Sequence, residues 1–358
     1  MLYREAGDFK TTYVADMQTF PIRGERILFW LFVAFCFGVV PFFITGYWEK
    51  SIIVPFLVWS MIALGLNILT GYCGQVSLGT GGFMAVGAFA CYKLTTAFPE
   101  LNIVLVIILS GAVTAGVGML FGLPSLRIKG FYLAVATLAA QFFLVWCFNK
   151  FGWFYNYSAS GQISMPTRTL FGVAVTGPDA PPWATYLVSL TFVFVFAWVA
   201  RNLTRGRLGR SWMAMRDMDI AAQIMGISPF NAKLSAFAIS SFYVGMGGAM
   251  FFAIYLGAAE VTEAFGIDKS FDALFMIIIG GLGSILGSFL GAAFIVVFPV
   301  FLKNVMVGGL GWSTDLAAHI EIMTVGALII FFLIVEPHGL AQIWRLTKEK
   351  LRLWPFPY

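Results

Sequence analysis

Long apolar runs separated by short polar ones dominate the chain, at about 27–45, 52–70, 76–98, 102–122, 131–149, 184–201, 233–257, 271–302 and 319–335. A helix needs roughly 20 apolar residues to cross a hydrocarbon layer about 30 Å thick, and most of these runs match that length. The pattern predicts an all-α polytopic helical bundle in a membrane. The run 271–302 is interrupted by Gly280, Gly281, Leu282, Gly283 and Ser284. Several glycines weaken a helix and let backbones approach closely, so the run is expected to break there. Its first limb, 271–281, would reach only about 16 Å at 1.5 Å per residue. A half-length helix of that kind must be shielded by protein or line a wet cavity.

Composition agrees, since 60% of the 358 residues are hydrophobic and 11% charged, against about a quarter charged in a soluble domain. The net charge of +5 does not indicate nucleic acid, because the basic residues sit between apolar runs and not on one soluble face. Lys and Arg collect in short cytoplasmic loops, which orients the chain. Arg23 and Arg26 place the tail 1–26 inside, and no small-residue cleavage site follows the first apolar run, so this reads as a retained tail and not a signal peptide. The loop with Arg127 and Lys129 then falls inside and 150–183 outside. The stretch 202–232, with Arg205, Arg207, Arg210 and Arg216, is inside, and the acidic loop 258–270 is outside. Two crossings across 271–302 keep the basic tail 341–358 inside. The expectation is ten spans over a transmembrane domain 27–340, with both termini cytoplasmic.

Few side chains offer chemistry. Cys36, Cys73, Cys91 and Cys147 have no CxxC spacing and read as small buried hydrophobes. His319 and His338 are too far apart in sequence to suggest a metal pair, and no catalytic constellation is present, so neither an enzyme nor a metal site is expected. Lys93, Asp272 and Glu321 lie near expected helix ends, where side chains reach the interface; Asp272 would also suit the positive dipole end of the half-length helix.

Two regions stand out. In the first, Gly71, Gly74, Gly79, Gly81 and Gly82 lie close to Gln75, Ser77 and Thr80. Such a density of glycine means either tight helix packing or a local unwinding whose backbone and polar side chains face a translocation path. On the second reading Gly74, Gln75, Ser77, Gly79, Thr80 and Gly81 form one wall, and Gly280, Gly281, Gly283 and Ser284, with Ser288, the opposing one. Asn67, Gln141 and Tyr243 are weaker candidates, because a buried amide or phenol often just bonds a neighbouring helix. The second region is SWMAMRDMDIAAQIMGISPF in 202–232, a short amphipathic helix with Ser211 as a candidate cap and Gly226 and Pro229 at its end. It lies either on lipid headgroups or in a groove of a soluble partner. The external segment 150–183, with Trp153, Tyr155, Tyr157 and Arg168, is long for a connection and is either a receptor-docking surface or a passive loop.

Four ordered blocks carry a resemblance: ALGLNILTGYCGQVSLGTGGFMAVGAFA (Ala63 to Ala90), RIKGFYLAVATLA (Arg127 to Ala139), GRSWMAMRDMDIAAQIMGI (Gly209 to Ile227) and IIIGGLGSILGSFLGAA (Ile277 to Ala293). In order and spacing they resemble branched-chain amino acid permeases of the LivM type, subunits of ATP-binding cassette importers, over roughly 52–340. Ala221, Ala222 and Gly226 are similar to the A-A-x-x-x-G core of the cytoplasmic loop by which such permeases engage their ATPases. Ile220 stands where that loop often has Glu, and the downstream I-x-L-P is missing.

The resemblance implies a coupling role for Arg210, Arg216, Asp217, Asp219, Ala221, Ala222 and Gly226. It also implies a bacterial inner-membrane assembly with a second homologous permease, two cytoplasmic ATPases and a periplasmic solute-binding protein. The chain holds no G-x-x-x-x-G-K-[ST] loop, so no cofactor is expected on it; ATP and Mg belong to the partners. The implied substrate is a branched-chain amino acid, with urea, short amides and aromatic or other small carboxylates as alternatives within the same family. A gradient-driven transporter or channel would need membrane-embedded charges, which are scarce here, and a purely structural scaffold would not need broken helices.

Overall fold

The computed structural model describes residues 11–12, 23–125, 131–336 and 338–353. The expected tail 1–26 therefore lies almost wholly outside the described residues, as does the loop with Arg127 and Lys129. In chain order the principal helices are α1 (Gly24–Phe43), α2 (Gly46–Tyr72), α3 (Thr80–Ala97), α4 (Ile103–Leu123), α5 (Tyr132–Lys150) and α6 (Pro182–Arg205). Two short helices follow, α7 (Arg207–Asp217) and α8 (Asp219–Ile224). Then come α9 (Pro229–Leu256), α10 (Ile267–Gly280), α11 (Ile285–Gly309), α12 (Thr314–Val335) and α13 (Leu340–Leu353).

Among the described residues eight helices are long and apolar enough to cross a membrane: α1, α2, α4, α5, α6, α9, α11 and α12. The other two expected segments are helical but differ in kind. Glycines and Lys93 make α3 less apolar, and α10, with 14 residues, reaches only about 21 Å. Between α10 and α11 residues 281–284 are non-helical.

The core is built around α9, which packs against α2, α3 and α4. Close approach comes from glycine: a side chain at Gly87 of α3 would collide with the Gly245 carbonyl of α9, and one at Gly65 of α2 would lie 2.7 Å from Tyr243 Cβ. From Val54 onward α2 is buried almost throughout, including Asn67. By contrast α12 buries only Ala317, and α1 none of its most apolar stretch. Those two helices stand at the periphery.

Three expectations need correction. The segment 202–232 holds two helices, because Met218 adopts an extended backbone (φ −151°, ψ 95°) between them. Ser211 lies inside α7 and does not cap it; its hydroxyl donates to Leu208 O at 2.6 Å. The half-length helix starts at Ile267 and not near 271, which puts Asp268 in its first turn and Asp272 a turn further along.

The segment 150–183, expected to be external, also gains structure. Strands β1 (Ile163–Ser164) and β4 (Ala258–Ala259) pair antiparallel, as do β2 (Arg168–Leu170) and β3 (Val173–Thr176). The β2–β3 turn is Phe171–Gly172, both with positive φ (51° and 83°), the combination that matches strand twist in a two-residue hairpin.

Glycine packing predicts an asymmetric response. Gly87→Val should destabilise the chain by about 1–3 kcal/mol through overpacking and lower the unfolding temperature in detergent. Gly116→Ala, where nothing lies within 4 Å of an added carbon, should leave it equal or slightly higher.

Candidate coupling and translocation site

Residues 73–79 form the non-helical link between α2 and α3. The last turns of α2 widen over Ile68–Tyr72, and Gly74 follows in the left-handed region at φ +73°. The freed backbone is tied locally: Gly74 N donates to Thr70 O at 3.2 Å, Gln75 N to Leu69 O at 3.1 Å and Thr70 Oγ1 to Gln75 O at 3.1 Å. Farther along, Leu78 N donates to Thr137 Oγ1 of α5 at 2.9 Å. Exposure alternates. Gly74 and Val76 face outward, whereas Gln75, Ser77 and Thr80 are at most 5% exposed. Gln75 Oε1 and Thr80 Oγ1 are buried without a hydrogen-bond partner.

The second break is stitched to α2 by one side chain. Asn67 Nδ2 donates to Ser284 O at 2.8 Å and Ser288 Oγ at 2.9 Å, and its Oδ1 accepts from Gly283 N at 2.8 Å. Ser284 caps α11 by accepting from Gly287 N at 3.1 Å. Gly281 and Gly283 have φ of +118° and +74°, and a side chain at Gly280 would collide with the Gly287 carbonyl.

Both breaks meet α7. Trp212 is fully buried and donates from Nε1 to Ser235 Oγ at 3.0 Å, and Met215 is buried beside it. This anchors the helix to α9 and presents Arg216 to the breaks. Arg216 Nη1 donates to Gly71 O at 2.8 Å, its stem covers Gly74, and a carbon added at Gly283 would sit 3.1 Å from Nη1. Asp217 accepts from Arg216 Nε at 2.9 Å.

Beyond it α8 buries Ala222 and leaves Ala221 half-buried, while Met218, Ile220, Ile224 and Met225 are 68–83% exposed. Gly226 (φ +87°) ends α8 in a Schellman arrangement, with Ile227 N on Ala222 O and Gly226 N on Gln223 O, both at 3.0 Å. Arg210 is exposed and Asp219 half-exposed, and neither is brought to the breaks.

The expected path residues thus fall at two levels. Gly74 and Gly283 lie against Arg216, with Ser284 held beside them by Asn67 and Gly281 packed on Ala341. Gly79, Thr80 and Gly81 gather instead near Gln141, midway along α5. Gln141 Nε2 donates to Phe265 O at 2.9 Å, while its Oε1 accepts from Ser270 Oγ at 3.2 Å and from Gly82 N. Gly81 N donates to Ser270 Oγ at 2.8 Å. The first turns of α3 and α10 therefore abut halfway along a spanning helix.

Asp268, Lys269 and Asp272 flank Ser270, with Lys269 Nζ 3.8 Å from Asp272 Oδ2. These charges lie in the first turns of α10, at the level of mid-α5 and not at the end of a full-length span. Gln141, a lone amide in the middle of an apolar run, was the signal for that depth. Tyr243 proves to be packing: its hydroxyl donates to Phe196 O at 2.9 Å. Lys93 sits at the outer end of α3, its Nζ 4.1 Å above the Trp153 ring. No group of His, Cys, Asp or Glu among the described residues could hold a metal ion.

Eight long apolar helices and two interrupted ones, stitched together inside an apolar bundle, define a multi-pass membrane protein. The family model for the branched-chain amino acid transport system permease component matches residues 50–333, and the chain belongs to that family, whose members are permease subunits of ATP-binding cassette importers.

Its curated relatives include the high-affinity branched-chain amino acid transport system permease protein LivM of Salmonella typhimurium, 29% identical over 83% of this chain and 70% of that protein. The LivM protein of Escherichia coli is 28% identical over the same shares. The probable branched-chain amino acid transport permease protein LivM of Methanocaldococcus jannaschii is 23% identical over 81% of this chain and 92% of that protein. No solved structure is significantly similar to the chain.

Asn67 bonds two groups of the second break and the buried Ser288 hydroxyl of α11 at once, so its loss is costly. Asn67→Ala should destabilise the chain by about 1–3 kcal/mol, the penalty for leaving buried partners unpaired. Asn304→Ala, which removes only an exposed contact with Tyr47, should change stability by less than about 0.5 kcal/mol. Thermal unfolding of both variants in detergent checks the difference.

Proposed function

We propose that this chain is one transmembrane half of an importer for branched-chain amino acids in the bacterial inner membrane. Both termini lie in the cytosol, and α3 and α10 complete ten segments. A second homologous permease, two cytoplasmic ATPases that hold ATP and Mg, and a periplasmic solute-binding protein complete the assembly. The folded external segment around β2–β3 is the docking surface for the binding protein.

One observation carries the coupling part of this reading: Arg216 on α7 holds the Gly71 carbonyl and lies against Gly74 and Gly283. An ATPase seated on the exposed Met218, Ile220, Ile224 and Met225 of the α7–α8 unit would shift that unit as it closes. Arg216 passes the shift to both glycine breaks, where the backbone can bend without a side chain in the way. The ATPase drives transport only if it binds the unit differently in its two states, since equal contact would shift nothing. Arg210, Asp217, Asp219, Ala221 and Ala222 shape that unit, and Gly226 sets its exit. The wall opposite 74–81 is the segment 280–284.

Arg216→Ala in the reconstituted importer should assemble normally, lower leucine uptake at least about tenfold and leave ATP hydrolysis unresponsive to the loaded binding protein, as expected when a charged hydrogen bond worth about 1.5–3 kcal/mol is lost. Uptake at the wild-type rate would overturn the coupling role. Gly226→Val forces a branched residue to φ +87°, at a cost of about 1–2 kcal/mol, and should uncouple hydrolysis from uptake while expression is kept. Substrate is tested separately, by competing labelled leucine with isoleucine, valine, urea and benzoate; competition by the last two alone would reassign it.

A further inference from the structure

The helix α13 has no role in the reading above, yet it is fastened at two points. At its start Gly339 (φ +76°) is buried so closely on the second break that an added carbon would lie 2.5 Å from Gly281 N, and Ala341 Cβ would meet a carbon on Gly281 at 3.2 Å. Two turns on, Lys348 Nζ pairs with Glu25 Oε1 at 2.7 Å, and that Glu25 side chain is only 11% exposed. Glu25 opens α1, just before the exposed apolar run Ile27, Leu28, Trp30 and Leu31. Thus α13 lies along the level at which a peripheral spanning helix begins.

The arc turned away from these fastenings is apolar and open: Ile343 is 39%, Trp344 56% and Leu346 42% exposed. Cations border it. Arg345 and Lys350 stand against Glu349, which lies 3.9 Å from Arg345, while Lys348 is turned to Glu25. An amphipathic helix with Trp on one face and Lys and Arg beside it suits the plane of the headgroups, where aliphatic stems lie on apolar matter and ammonium groups meet phosphate.

We infer that the exposed face of α13 is an anionic-phospholipid binding surface, which holds the helix on the membrane and thereby steadies the Gly281–Ser284 break against which its first residues pack. Anionic lipid is favoured over a protein partner because the open apolar arc continues toward the exposed start of α1 and the bordering charge is predominantly positive. Each such cation near an anionic surface contributes about 1 kcal/mol.

The test is amide hydrogen exchange over 340–353 in the complete importer, in nanodiscs of phosphatidylcholine alone or with phosphatidylglycerol. Exchange should slow at least about fivefold with phosphatidylglycerol, and raised salt should reverse the slowing. Trp344→Ser with Lys350→Glu should abolish it, and the milder Lys350→Gln should reduce it, with assembly checked by size exclusion. Equal exchange in the two lipids would overturn the inference. So would protection that needs the ATPase subunits and ignores lipid, since that assigns the face to a protein partner.

Discussion

Every peptide group that leaves a helix inside an apolar bundle must find a partner within the protein, because hydrocarbon offers none. This constraint governs the two interruptions at 73–79 and 281–284. Side chains do the work that a helix would have done: Asn67 and Arg216 near one level, Thr137, Gln141 and Ser270 near the other. Their placement explains why α2 is buried almost throughout from Val54 on. Its Asn67 must reach the second break, and its final carbonyls must reach the α7–α8 unit.

The same constraint couples the breaks to each other. Gly283 N is satisfied by α2, and Gly71 O by α7. Displacing α7 therefore alters the end of α2 directly and the second break through Asn67. The α13 fastening at Gly281 and Gly339 joins the C-terminal segment to that unit. Glycine is needed here for conformation at Gly74, Gly281 and Gly283, whose φ values are positive, and for close approach at Gly71 and Gly280. Of the glycines at 71–82, Gly81 and Gly82 lie inside α3 and pack against Gln141, Gly71 ends α2 close against Gly283, and the link 73–79 with Gly74 and Gly79 is unwound.

Much of this was legible in the sequence because apolar length and glycine clusters act locally. Runs such as 102–122 and 184–201 announce helices, and Gly280, Gly281 and Gly283 announce the break. What stayed hidden depends on packing between distant segments. Gln75 and Ser77 read as path-facing, yet in the fold Gly74 and Val76 hold the outward positions, since an extended link alternates its faces and nothing local sets the register. Met218, an ordinary residue, divides the amphipathic segment into two helices. Asp272 looked like an end residue because the start of α10 was expected near 271 and lies at Ile267, and depth is set by Gln141, well over a hundred positions earlier in the chain.

That depth matters for what surrounds the chain. Ser270 is held at the middle of α5, so Asp268, Lys269 and Asp272 lie within about one turn, some 5 Å, of the same level. The face of α10 that carries Asp268 and Phe271 is exposed, with Asp272 partly so. Charged groups facing hydrocarbon at mid-depth are costly, and even the Lys269–Asp272 pair, at 3.8 Å, leaves Asp268 over. The face must therefore meet water or a polar protein surface. Under the importer reading that cover is the translocation path shared with the second permease, which makes a lone copy of this chain electrostatically incomplete at the very level where its two interrupted helices begin.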